Sequence, residues 1–201
     1  SAFVMGVFRD NGNGTYGPED TAEPVQAYFG DIYTTLTVIN GMTNINSHYG
    51  QTAIIYPSGN YDIIAEVGSP VVTAGQTYIV LVRRLVTIQG RIYDANNQQL
   101  DGTPPQIPGQ GVSVSGLGSK TNTPWDFSRI PSGTYTLNFN QISGYKTRYR
   151  CAGGSCGAFP TTYTDTPASN QISINLPNAG NYIDIYVQYV VAPACTGLSI
   201  R

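Results

Sequence analysis

Along this chain apolar side chains recur at every second position and almost nowhere at helical spacing. Ile183, Ile185, Val187 and Tyr189 fall on one side of their segment, with Tyr182, Asp184, Tyr186 and Gln188 on the other. Tyr135, Leu137 and Phe139 alternate with Thr134, Thr136 and Asn138, and Tyr78, Val80 and Val82 repeat the pattern. A period of two sends successive side chains to opposite faces of an extended strand, one to be buried and one to meet water. No window of about twelve residues keeps apolar side chains at i, i+3, i+4 and i+7 without an interrupting Gly, Pro or Asn. Short alternating runs rich in Tyr, Thr, Val and Ile, punctuated by Gly, Pro and Asn, predict an all-β fold built of Ig-like sandwiches.

A second feature suggests how many sandwiches there are. PSGNY, Pro57 to Tyr61, returns as PSGTY at Pro131 to Tyr135, and GQTYIVLV, Gly75 to Val82, returns as GNYIDIYV, Gly180 to Val187. Pro presets φ for a turn, Ser and Gly complete it, and Tyr then opens a strand. Each copy reads turn, strand, intervening segment, Gly turn, strand, which predicts a duplicated β-domain with the device opening the same strand in each half. The boundary falls near Arg84–Leu85, between TYIVLVRR as a final strand and LVTIQGRIYD as a first one. The expected organisation is two tandem domains, 1–85 and 86–192, followed by 193–201 as a linker or the start of a further strand. The second copy is longer: Tyr135 to Tyr182 spans 47 positions against 17 from Tyr61 to Tyr78. Most of the excess is read as an insertion over about 144–166, the place where one repeat would carry a specialised function.

Composition narrows the partners. Charged residues are 11% of the 201, well under the roughly 25% of ordinary chains. Net charge is −2 and the ten basic residues are scattered, so no basic stripe invites nucleic acid. No apolar run is long enough to insert in a membrane. Ser1 begins abruptly, as in a processed chain or an excised fragment. In CAGGSC, the spacing of Cys151 and Cys156 is wrong for a CxxC redox motif and suits a hairpin disulfide, with an oxidising compartment implied; free thiols are the alternative. Cys195 is left to pair beyond the chain, to pair between chains, or to stay free.

Residues 86–190 carry VTIQGRIYDANNQQLDG, then GVSVSG, then WDFSRIPSGTYTLNFNQISGY. This stretch resembles the carboxypeptidase-regulatory-like domains, transthyretin-like sandwiches related to the Cna-B-type domains of bacterial surface proteins. Ile130 stands where the family pattern has Leu, and Ser132 fills a variable position. VFRDNGNGTYGPED in the first half is similar to the opening of B-type repeats in serine-aspartate-rich adhesins, whose acidic loop holds calcium. Here the loop is one position short and Gly12 replaces a side-chain ligand. Many such domains are stapled by a Lys–Asn isopeptide bond. The lysines here are Lys120 and Lys146, neither in a first strand, so no such bond is expected.

Three groups of residues are candidate sites. Asp10, Asn11, Asn13, Glu19 and Asp20 concentrate oxygen ligands beside glycines, as a calcium loop requires; calcium is the one cofactor suggested. Tyr145, Tyr149 and Tyr163, read as exposed, with Arg148 and Arg150, would form a stacking surface for glycans. Trp125, sharing parity with Phe127, is assigned to the core rather than to a sugar surface. Catalysis has little basis: His48 is the lone histidine, in NINSHYG, and no GxSxG, HExxH or paired-carboxylate motif is present. The expected function is therefore a non-catalytic, extracellular or cell-surface structural and adhesive module. The alternatives are a carbohydrate-binding module using 144–166, and a filament or pilus-like subunit whose tail completes a neighbouring copy's sheet.

Overall fold

The computed structural model describes residues 1–19, 25–103 and 106–193. Every regular element among them is a strand, so the all-β expectation holds. The chain divides into two compact units, Ser1–Leu85 with Asn178–Gly180, and Val86–Pro177 with the chain from Asn181 onward.

The first unit holds β1 (Phe3–Asp10), β2 (Tyr16–Pro18), β3 (Val25–Phe29), β4 (Ile32–Leu36), β5 (Met42–Ile45), β6 (Ala53–Tyr56), β7 (Tyr61–Val67) and the beginning of β8 (Thr77–Asp94). β1 runs parallel to β8, in register from Val4 opposite Thr77 to Arg9 opposite Val82. β7 flanks β8 antiparallel, and β2 and β5 flank β1. A second sheet, ordered β4–β3–β6, faces this one. Phe3, Met5, Val7, Tyr78, Val80 and Val82 from the first sheet meet Val25, Ala27, Phe29, Ala53 and Ile55 from the second in one buried cluster.

The second unit takes the rest of β8 and adds β9 (Val112–Val114), β10 (Gly118–Lys120), β11 (Trp125–Pro131), β12 (Gly133–Phe139), β13 (Tyr145–Gly154), β14 (Thr164–Asp165), β15 (Gln171–Leu176) and β16 (Tyr182–Val191). Its first and last strands are again parallel, from Thr87 opposite Tyr182 to Asp94 opposite Tyr189. β13 flanks β16 and β14 flanks β13, while β11 pairs with β8; the opposing sheet is β10–β9–β12–β15. The alternating residues Ile183, Ile185, Val187 and Tyr189 are all buried against Val112, Val114, Leu137, Phe139, Ile172 and Ile174. Trp125 belongs to this core, as its parity with Phe127 required. It fits because position 90 is glycine: a Cβ there would lie 1.8 Å from the Ile185 carbonyl oxygen and 2.7 Å from the indole.

The repeated pentapeptide does not open the same strand twice. After PSGNY the chain enters β7, beside the last strand of its unit. PSGTY instead straddles two strands, with Pro131 ending β11 and Gly133 beginning β12, which lies in the opposing sheet between β9 and β15. The counterpart of β7 is β13, which also flanks a last strand antiparallel and follows Ser143-Gly144. The turn bonds agree: Tyr61 N–H donates to Ser58 O at 3.1 Å and Tyr145 N–H to Ile142 O at 3.0 Å. A turn followed by a strand is a local instruction, whereas the sheet a strand joins is set by distant partners.

The 144–166 segment also departs from expectation. Its first ten residues of strand, β13, are regular sheet, with a bulge between Cys151 and Gly153. Only the stretch after Gly154 leaves the ladder, returning at β14. Cys151 and Cys156 are joined by a disulfide across this departure. Gly154 makes the exit possible: its φ is +82° and a Cβ would lie 2.2 Å from the Tyr182 carbonyl oxygen.

Candidate functional site

Alternation along β13 sends Thr147, Tyr149 and Cys151 inward and Lys146, Arg148 and Arg150 to the outer face. Next to them on β16 lie Asp184 and Tyr186, and beyond these on β8 lie Gln89, Arg91 and Tyr93. The Arg150 guanidinium sits 4.6 Å from the centre of the Tyr186 ring and 5.4 Å from that of Tyr163, and Tyr93 packs against Tyr186 at 5.6 Å. Cations over aromatic faces contribute about 0.5–2 kcal/mol, more as water is excluded. Burial pushes the Tyr163 hydroxyl up in pKa, and the hydrogen bond and charge of Arg150 pull it back. Asp165 is held below the usual carboxylate range by hydrogen bonds from Lys146 and then Arg148; the Arg148 bond is 3.1 Å.

One member of the expected glycan platform is elsewhere. Tyr149 lies in the core, packed between Phe139 at 5.9 Å and Phe159 at 6.4 Å, and burial raises its pKa. Its parity with Thr147 and Cys151 carries that signal in the sequence. Tyr145 is exposed at the start of β13, while Tyr163 and Arg150 are engaged with each other. The structure thus brings Arg148, Arg150 and Tyr163 to one face and removes Tyr149 from it.

The 10–20 loop is likewise divided. Asp10 Oδ1 accepts from the Gly12 N–H at 2.8 Å, and Asp10 Oδ2 lies 4.0 Å from Arg83. Asn13 Oδ1 accepts from the Thr15 N–H at 3.1 Å, and the Asn11 amide donates to Thr15 Oγ1 at 3.1 Å. Glu19 is not part of this loop. Its N–H donates to Val7 O, three residues down β1 from Asp10, or roughly 10 Å along a strand. There its buried carboxylate takes two 2.7 Å hydrogen bonds from Arg84, with Arg9 at 3.9 Å. Among the described residues no three His, Cys, Asp or Glu side chains cluster closely enough to hold a metal ion. Asp20 lies outside the described residues, as do Cys195 and the segment 194–201 on which the strand-exchanging tail rests. His48, the one histidine, stacks its ring on Phe29 at 5.1 Å.

A further group went unread in the sequence. On the outer face of the β4–β3–β6 sheet, Tyr28 packs at 5.0 Å on Tyr33 and at 5.5 Å on Tyr56, beside Ile54, all of them exposed. The alternation in VQAYF, IYTTL and AIIY contains it, but cross-strand register is needed to see three tyrosines side by side.

No family model matches this chain, and no curated protein does. Among solved structures, the Bacillus anthracis TIE protein overlays 95% of the chain at 12% identity and TM-score 0.40; the chain spans about a third, 34%, of that protein's chain. A Mobiluncus mulieris adhesin containing intramolecular disulfide, isopeptide and ester cross-links overlays 96% of the chain and 98% of its own, at 8% identity and TM-score 0.40. The major pilin T-13 of Streptococcus pyogenes overlays 95% and 96%, at 11% identity and TM-score 0.31. Overlays this loose carry no weight on what the chain does.

Proposed function

We propose that the chain is a non-catalytic extracellular module of a bacterial cell-surface protein, and that its task is to hold its ends together under tension. The observation that carries this reading is the parallel pairing of first and last strands in both units. The chain enters the first unit at the N-terminal end of β1 and leaves it at the C-terminal side of its part of β8. Tension along the chain therefore slides the two strands in opposite directions. Every rung from Val4–Thr77 to Arg9–Val82 is loaded at once, and in the second unit every rung from Thr87–Tyr182 to Asp94–Tyr189. A ladder loaded in shear must lose its bonds together; one that is peeled loses them singly. Forced unfolding is governed by the barrier to that first loss.

Other features fit the same reading. With only 11% charged residues, the chain is polar chiefly through Thr, Ser, Asn, Gln and Tyr, and the Cys151–Cys156 disulfide suits an oxidising exterior. Among the described residues no helix is long and apolar enough to cross a membrane. Single-molecule pulling tests the proposal. With handles at the two ends of the chain, two high-force unfolding events are expected. With handles at positions 87 and 182, both at the N-terminal ends of their strands, the second unit should peel at a several-fold lower force. Equal forces in the two geometries would refute the reading.

A further inference from the structure

Where β16, β8 and β11 lie side by side in the second unit there is a cavity of about 390 Å³. It is lined by Gln89 and Arg91 of β8, Asp184 and Tyr186 of β16, and Trp125 and Asp126 of β11. These belong to three adjacent strands, with Gln89 opposite Asp184 and Arg91 opposite Tyr186 in register. The volume lies within the roughly 300–1,000 Å³ of small-molecule sites, at the small end. Shear resistance of the strand ladders makes no use of this cavity.

We propose that this cavity binds a neutral saccharide of one or two rings. Asp126 and Asp184 are acceptors only, as sugar hydroxyl protons require, and two carboxylates disfavour an anionic ligand. The Gln89 amide and the Arg91 guanidinium offer donors to hydroxyl and ring oxygens; Arg91 is already anchored by its 3.1 Å bond to Gln99. The Tyr186 ring, fixed by Arg150, supplies apolar surface for the C–H groups of a pyranose. Donors, acceptors and one aromatic ring together match a polyol better than a purely apolar or purely charged ligand.

A second observation points the same way. Trp125 is 2% exposed, and its indole Nε1–H is a buried donor without a hydrogen-bond partner among the described residues. Leaving such a group unpaired is disfavoured, and buried indoles ordinarily find an acceptor. The ring borders the cavity, and its N–H is closed off from solvent in the unliganded chain, so a sugar hydroxyl accepts from it only once the indole turns toward the cavity.

Trp125 is the sole tryptophan of the chain, so its emission, excited apart from the tyrosines, reports on its own surroundings, this cavity among them. The test titrates the full chain with glucose, galactose, mannose, N-acetylglucosamine and their common disaccharides to about 50 mM, with glucuronic acid and methylammonium as charged controls. Calorimetry on the same series covers binding that leaves the indole emission unchanged. A saturable response to at least one neutral sugar is expected. It should weaken by about tenfold or more in Asp184→Asn and in Gln89→Ala, and stay unchanged in Ser173→Ala on the opposing sheet, with circular dichroism unaltered in all three. Absence of binding by both methods, a response to methylammonium or glucuronate alone, or equal affinity in Asp184→Asn and Gln89→Ala would each overturn the proposal.

Discussion

Two side chains show how position changes the work of a residue. Glu19 reads from the sequence as a calcium ligand, yet it is buried and held by the fork of Arg84. The Arg84 guanidinium is in turn held more firmly protonated by that bond, against the opposing effect of its own burial. Removing one partner of a buried pair leaves the other charge uncompensated, which typically costs about 3–5 kcal/mol. Arg84 and Arg9 keep some contact with water, so Glu19→Gln should cost about 2–4 kcal/mol in urea unfolding of the first unit. A change below about 0.5 kcal/mol would mean the pair is not formed in solution. Tyr189 is the corresponding case in the second unit. Its buried hydroxyl donates to Asn140 O at 2.8 Å, and the Gly111 N–H approaches it at 3.4 Å. Burial pushes its pKa up to about 12, with the Gly111 bond pulling the other way. The unfolded chain releases this proton near pH 10, so the contribution to stability is complete below that. It is lost between pH 10 and about 12, by roughly 2–3 kcal/mol in all. Tyr189→Phe should flatten that part of the stability–pH curve while lowering stability at pH 7 by about 1–2 kcal/mol.

Among elements, the strand ladders are dictated by alternation, and the departures from them by glycine and cysteine. The disulfide closes a loop of five residues' separation just where β13 leaves the ladder at Gly154. On the chain-entropy model so short a loop contributes about 2 kcal/mol. Cys151→Ser with Cys156→Ser should lower the stability of the second unit by that amount, read in urea unfolding, and wild type in reductant should match it. No effect of either would show that the 155–163 stretch is held by its other bonds, such as Cys151 N–H to Pro160 O at 2.7 Å. Turn chemistry was legible in one copy: the turn and strand expected at 57–61 are present, whereas at 131–135 β11 runs to Pro131 and β12 starts at Gly133, with a bend at Ser132 between them. Strand membership was not legible. β7 opens at the last residue of one pentapeptide and β12 at the third residue of its near copy, and they lie in different sheets, since hydrogen bonding across a sheet depends on residues far along the chain.

At the scale of the molecule, each unit keeps its own buried cluster, one built on Phe3, Met5 and Tyr78, the other on Ile88, Leu137 and Ile185. Separate cores predict separable responses to mutation. Hydrogen exchange should show Glu19→Gln accelerating amides in β1 while those in β12 and β15 are unchanged, and Tyr189→Phe doing the reverse. Uniform acceleration in both would mean that the units unfold as one. What the linear chain decided is whatever depends on neighbours in sequence: strand or turn, which side chains share a face, the burial of Trp125, and Cys151 and Cys156 close enough to bond. Tyr149 was within reach of the same parity argument. The pairing of first with last strands, the burial of Glu19 against Arg84, the meeting of Asp126, Gln89 and Asp184 at one cavity, and the three tyrosines of the β4–β3–β6 face belong to the tertiary structure alone. Each joins residues on different strands, and sequence periodicity fixes the face a side chain takes but not the strand that will lie beside it.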